Sequence, residues 1–251
     1  MRASLGVANR GVCAMTEHAE RGAARLAVFW SSLILALSPV AAAIVLAPAR
    51  SGPFCSGDCV SYPFADIARF YPQDYLWMYA MLVASFALVV LGAASVSLTP
   101  VVRRPLARIG NGFGLMAATT LSICYFIQIE VIQPSLIAGE TDGIAVLTQY
   151  NAHGVFIALE DLGYLALALA SVGLAAGLKP LGRLFAMAYW AALGGGVLVV
   201  GAFIYVTVFF GVGRSYYFEV FAILIDWIVM LVTGGLMAVG TMRMTRRAMK
   251  W

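Results

Sequence analysis

Charged residues are scarce in this sequence. Asp, Glu, Lys and Arg make up 11% of its 251 residues, against about 25% in an average soluble domain. Hydrophobic residues make up 62%, against roughly 45–50%. A water-soluble domain of this size could not cover its surface with so few charges. The composition therefore excludes a soluble enzyme, a nucleic-acid-binding domain and a secreted disulfide scaffold.

Residues that bind metals are also few, with two histidines and four cysteines. A transmembrane haem usually takes axial ligands from facing helices, and only His153 lies near a predicted membrane segment, since His18 belongs to the N-terminal stretch. No HExxH motif is present, and Cys55, Cys59 and His153 lack the paired spacing of a zinc site. We therefore expect no haem, zinc or other metal site, and the identity of any other cofactor stays open.

Long apolar runs take the place of the missing charges. Each run is long enough, as a helix rising about 1.5 Å per residue, to cross a hydrocarbon core of about 30 Å. We predict an all-α fold, a polytopic bundle of six transmembrane helices at residues 26–48, 76–99, 109–132, 154–178, 184–210 and 217–242.

The basic residues predict the orientation of the bundle. Thirteen of the 16 Lys and Arg residues precede the first segment, follow the sixth, or lie in the second and fourth connections. Because short cytoplasmic loops carry the excess of Lys and Arg, both termini are predicted to be cytoplasmic. Residues 1–25 then form an N-terminal tail, 26–242 the transmembrane domain and 243–251 a basic tail, with Met15 as an alternative start.

The first outer connection, at about 49–75, is rich in proline and aromatic residues. We expect it to lie on the membrane surface as a cap, with neighbouring aromatic side chains in the interfacial belt. Cys55 and Cys59 share this loop, and an oxidising compartment would permit a disulfide that braces it. A redox-active pair is the alternative, although such enzymes usually need a second thiol pair. Cys13 and Cys124 do not supply one, because the first is predicted to be cytoplasmic and the second lies within the third segment.

Five acidic residues fall inside or at the ends of predicted helices, where ionisable side chains are costly and usually face a bundle interior or an aqueous cavity. They are Glu130, Glu160, Asp161, Glu219 and Asp226. At about 1.5 Å per residue, Glu160 and Asp161 lie roughly 9–10 Å below the outer end of the fourth helix. Asp226 lies about 14 Å deep in the sixth helix, near the midplane.

Helical spacing places these acids on stripes that form one acidic site if the stripes face each other. His153, Glu160 and Tyr164 fall on one stripe of the fourth helix, and Glu219 and Asp226 fall on one stripe of the sixth. Polar residues near the outer end of the third helix are expected to approach them, with two basic residues as counter-charges at the mouth: Gln128, Glu130, Gln133, Arg69 and Arg214. The predicted site is an outward-facing acidic cavity with ligand-binding candidates Gln128, Glu130, His153, Glu160, Asp161, Tyr164 and Asp226.

We predict that such a cavity binds a small molecule, a cation or a proton, with transport as one form of that function. The structural alternative is that the acids hydrogen-bond to tyrosines and Gln128 and only hold the helices together. A further alternative is an accessory or structural subunit of a larger membrane complex. The last is a lipid-modifying or isomerising enzyme, with Glu160 or Asp161 as general acid or base and Tyr164 as an orienting group. No motif supports catalysis, so no catalytic residue is predicted.

Two stretches of the chain, together with the six-helix layout, resemble a family of uncharacterised bacterial inner-membrane proteins. They are DIARFYPQDYLWMY (66–79) and YFIQIEVIQPSLIAGETDGIAVLTQYNAHGVFIALEDLGY (125–164). The resemblance implies a bacterial origin and a multi-pass protein of the inner membrane with both termini inside. It implies no activity, cofactor or catalytic residue, and Asp226 lies outside both stretches.

Overall fold

The computed structural model describes the backbone of residues 2–64 and 66–248, and the side chains of 19–64 and 66–247. These residues form helices and no β-strand. The long helices are α1 (Arg2–Val45), α2 (Leu76–Leu98), α3 (Arg104–Ile127), α6 (Val155–Leu178), α7 (Arg183–Phe210) and α8 (Tyr217–Ala248). Two short helices, α4 (Gln133–Ala138) and α5 (Ile144–Leu147), lie between α3 and α6.

Six helices are long and apolar enough to cross a membrane, which confirms the predicted all-α bundle with six membrane-spanning segments. They correspond to α1, α2, α3, α6, α7 and α8. α1 begins at Arg2 and so includes the stretch predicted as an N-terminal tail. The side of the membrane on which each terminus lies stays a prediction.

The third span is longer than its sequence predicted. It runs over Val101–Ala138, because α3 passes through a π-helical turn (Gln128–Ile132) into α4. Pro134 explains the wide turn, since proline has no N–H to donate and its ring crowds the carbonyl of the residue four positions earlier. Gly139 ends α4 with a φ of 77°, a left-handed conformation that glycine adopts without strain.

Close helix contacts are made at glycines. α3 lies along α6, and a Cβ added to Gly110 would come within 2.9 Å of the Cα of Gly173. α8 touches α1 in the same way, because a Cβ on Gly234 would lie 2.6 Å from the carbonyl oxygen of Ser32. These positions accept only glycine, as is typical of small residues that let membrane helices approach closely. α7 packs on α6 and α8 at the edge of the bundle.

The connections 46–75, 139–154 and 211–216 meet at one end of the bundle, here called the loop end. The hydroxyl of Tyr150 donates to Oδ2 of Asp74 at 2.8 Å, and Nε of Arg50 lies 3.4 Å from the same oxygen. Ser51 and Tyr216 share a hydrogen bond of 2.7 Å. Three separate connections are thereby joined by buried or partly buried polar contacts.

The first connection holds three short 3₁₀ turns, Gly52–Phe54, Ile67–Phe70 and Gln73–Tyr75. The side chains of Ile67 and Phe70 are buried and fix it to the bundle. Cys55 and Cys59 are joined as a disulfide within it. Its placement on the membrane surface as a cap stays a prediction.

Candidate functional site

Two carboxyl groups from different helices face each other near the loop end. Glu160 of α6 is fully buried, and its carboxyl interacts with that of Glu219 in the first turn of α8. Oε2 of Glu160 and Oε2 of Glu219 are both buried and have no hydrogen-bond partner among the described residues. Asp161 follows Glu160 in the chain and interacts electrostatically with both glutamates and with Arg214.

A directed chain of hydrogen bonds ends at Glu160. The hydroxyl of Tyr125 donates to Oε1 of Glu160 at 3.0 Å. Tyr125 thereby uses its only proton, so Tyr164 is the donor in the 2.9 Å bond between the two hydroxyls. The indole N–H of Trp227 in turn donates to Tyr164 at 3.1 Å. Each of these three hydrogen bonds therefore donates in the direction of Glu160, and Glu160 is the last acceptor of the series.

Asp226 is separate from this chain. Its side chain is fully buried in α8, and within the described residues neither carboxyl oxygen has a hydrogen-bond partner. A buried carboxyl without a partner is costly. Asp226 therefore lies inside the bundle and interacts with Tyr164 only electrostatically, without a hydrogen bond among the described residues.

A cavity of about 480 Å³ opens between α1, α8 and the start of α2 at the loop end. Its wall is mainly apolar and includes five aromatic side chains, Phe54, Trp77, Tyr150, Tyr216 and Trp227. Three charged residues also line it, Arg50, Asp74 and Glu219. A mostly apolar cavity with a few placed polar groups is the usual form of a small-molecule site.

Asp74 is held at the cavity wall by two neighbours. It is 4% exposed, and Arg50 and Tyr150 both contact its Oδ2. Burial raises the pKa of the Tyr150 hydroxyl above its usual range, so Tyr150 stays a proton donor. Oδ1 of Asp74 has no partner within the part of the chain whose side chains are described. Arg50 also lies over the Phe70 ring at 4.4 Å.

The structure brings together some of the predicted site residues. Glu160 and Tyr164 share one hydrogen-bond chain, and Asp161 lies beside Glu160. Gln128 is buried, but it donates to the carbonyl of Leu147 at 2.7 Å and accepts from the N–H of Gln149 at 3.2 Å. Its amide therefore fixes the connection before α6 and is not directed at a ligand.

Other predicted residues lie apart from this cluster. Glu130 is exposed, because it follows the buried Gln128 by two residues and so lies about 200° around the helix from it. His153 is also exposed and precedes α6, which begins at Val155, so it is not on a helical stripe with Glu160. Arg69 is exposed and pairs with Asp66 at 3.4 Å instead of closing the cavity.

Sequence reasoning did not select Asp74, Arg50 or the two tryptophans of the cavity wall. The sequence marks these residues only weakly. Asp74 lies in an aromatic stretch that was assigned to the membrane surface, and Trp227 follows Asp226 in an apolar run typical of any membrane helix. Only the folded chain brings Trp77 and Trp227 together, with ring centroids 6.2 Å apart.

Comparison with known proteins gives no match: no family model, no curated protein and no solved structure is similar to this chain. The resemblance noted from the sequence therefore has no matching family model behind it. The function has to be argued from the geometry of the site.

Proposed function

We propose that this multi-pass membrane protein binds an amphipathic organic cation in the cavity at the loop end. The observation that carries the proposal is that Asp74 and Glu219 line an aromatic cavity and that each has a buried carboxylate oxygen without a partner among the described residues. Carboxylate oxygens accept hydrogen bonds from a cationic head, and aromatic faces attract positive charge.

The charges of the cavity favour a cation over an anion. Arg50 is the only basic residue in the lining among the described residues, and its charge is matched by Asp74 at 3.4 Å. Glu219 then leaves the lining with one uncompensated acidic group. Attraction between opposite charges is strong where the effective dielectric constant is low. A ligand with a single positive charge therefore complements the acidic group of this lining.

The apolar part of the ligand is expected to face the lipid side. Leu46 and Leu224 line the cavity and are 51% and 59% exposed on the outside of the bundle. An amphipathic ligand can therefore enter between α1 and α8 from the bilayer. Trp227 of the cavity wall donates a hydrogen bond to Tyr164, which is fully buried in the bundle. The interior next to the cavity is therefore filled with side chains, which favours binding over passage through the bundle.

The test uses the full chain in lipid nanodiscs and isothermal titration calorimetry. Phenyltrimethylammonium is the cationic probe, and 4-tert-butylbenzoate is an anion of similar size. We expect the cation to bind and the anion not to bind. The variant Glu219→Gln should weaken cation binding at least about tenfold, since a tenfold loss corresponds to about 1.4 kcal/mol of lost ion pairing.

Glu130→Gln is the matched control, because Glu130 is an exposed carboxyl outside the cavity. It should bind the cation as the unaltered chain does. Equal binding of cation and anion, or equal loss in both variants, would contradict the proposal.

A second candidate function, an accessory subunit of a membrane complex, is favoured by one feature of α7. Val208 and Phe209 are both 70% exposed on this edge helix, and a Cβ on Gly194 or Gly201 would meet nothing within 4 Å. Small and apolar residues on an open face suit contact with another membrane helix. Native mass spectrometry after gentle extraction tests it, because a stoichiometric partner protein would support this role and isolation of the chain alone would count against it.

A further inference from the structure

The facing carboxyls of Glu160 and Glu219 form no ion pair with a basic side chain among residues 19–64 and 66–247. Two carboxylates that face each other in a low-dielectric interior cannot both stay charged without a positive charge between or beside them. Either a proton or a cation therefore has to accompany the pair.

The other groups around the pair do not supply that charge. From α3 the pair is faced by Cys124 and Tyr125, and from α6 by Asp161 and Tyr164. Tyr216, just before α8, faces Glu219. These side chains are neutral donors or acids. Of the basic residues near them, Arg214 interacts with Asp161, and Arg50, which lines the cavity with Glu219, pairs with Asp74.

The direction of the hydrogen-bond chain locates the proton. Tyr125 donates to Oε1 of Glu160, so a proton on the pair sits on the Oε2 side. Oε2 of Glu160 and Oε2 of Glu219 are the two oxygens without partners. Because Glu219 lines the cavity, a proton held there lies at the boundary between the cavity and the bundle interior.

We propose that an organic cation entering the cavity displaces one proton from the Glu160–Glu219 pair, so that cation and proton exclude each other. This inference rests on the proposed function and adds its regulation by pH. The O–H bond of one carboxylic acid breaks, the proton goes to water at the loop end, and the bound cation neutralises the carboxylate that remains. No electrons are transferred.

The test repeats the phenyltrimethylammonium titration in nanodiscs, in two buffers that differ in ionisation enthalpy, from pH 5 to pH 9. The difference between the two heats gives the number of protons released. We expect up to one proton released per bound cation. Affinity should increase with pH by up to about tenfold per unit where the pair holds its proton, as linkage requires for one displaced proton.

Glu160→Gln separates this inference from a structural role. Glu219 then faces a neutral amide and carries its charge alone, so the cation should still bind, with less proton release and a flatter pH profile. Glu130→Gln, an exposed carboxyl outside the pair, should keep the proton release of the unaltered chain.

The outcomes distinguish the two proposals. Cation binding without proton release at every pH would overturn the exchange and leave the proposed function standing. Proton release that persists unchanged in Glu160→Gln would also overturn it. Absence of cation binding in the unaltered chain would overturn the proposed function, and the exchange with it.

Discussion

The hydroxyl of Tyr150 donates a 2.8 Å hydrogen bond to Oδ2 of Asp74 and so joins the connection before α6 to the one before α2. Both residues are nearly completely buried, at 4% exposed each. Tyr150 and Asp74 both line the cavity, although they lie far apart in the sequence. Their contact therefore links the stability of the loop end to the shape of the site.

Tyr150→Phe should lower the free energy of unfolding by about 1–3 kcal/mol, because it removes a donor from a buried carboxylate. The measurement is a thermal melt in detergent, followed with a thiol-reactive dye that reports exposure of the buried Cys124 in a Cys13→Ser background. Tyr62→Phe is the control, since Tyr62 is 75% exposed. Equal melting temperatures for the two variants would contradict the structural role of the Tyr150 contact.

Asp226→Asn should raise the melting temperature. The carboxyl is fully buried, and its oxygens lack partners in the described residues, so a neutral amide of nearly equal size removes a cost of about 1–3 kcal/mol. The same dye assay measures the shift. A lower melting temperature would show that Asp226 makes a stabilising contact, and loss of phenyltrimethylammonium binding would return it to the ligand site predicted from the sequence.

Gly110→Ala should destabilise the bundle by at least about 1–3 kcal/mol, the usual cost of overpacking. The added methyl group would collide with the backbone of Gly173. Because backbone atoms cannot move aside as the end of a flexible side chain can, the collision is not easily relieved. Gly112→Ala, two residues away on α3, meets open space and should be neutral or stabilising by up to about 1 kcal/mol through helix propensity. A similar loss of stability in both variants would contradict this prediction, because it would show that the α3–α6 contact is not the cause of the destabilisation.

The basic residues predict that the loop end lies outside the cytoplasm. Green fluorescent protein fused after Trp251 should fluoresce, and alkaline phosphatase fused at the same point should be inactive, because the first folds in the cytoplasm and the second needs an oxidising compartment. Phosphatase fused after Glu140, at the loop end, should be active. The reverse pattern would invert the predicted topology.

The sequence was sufficient to predict the six long helices, because the length of each apolar run decides whether it can cross a bilayer. The length and polarity of the six apolar runs are sufficient to predict six spanning helices, because the bilayer tolerates little else. Helical spacing placed Glu160 and Glu219 on stripes of two different helices, but only the fold brings the two carboxyls together.

Sequence reasoning did not place the residues near the outer ends of the third and fourth segments. Glu130 is exposed, and a regular helix already puts it about 200° from the buried Gln128. His153 was assigned to a helix that begins two residues later, at Val155. The Arg50–Asp74 contact depends on how two connections meet, and no periodicity encodes that meeting.

The contact of Gly234 with Ser32 has a mechanical consequence for the cavity. It joins α1 and α8 about 26 Å from the start of α8, at about 1.5 Å per residue, whereas the cavity separates the same two helices at the loop end. We therefore expect α1 and α8 to stay fixed at this contact while their ends beside the cavity separate. We expect a larger ligand to be accommodated by separation of α1 and α8 at the loop end. Spin labels near Ala47 and Leu224 would then move apart, while labels near Ser32 and Gly234 would keep their distance.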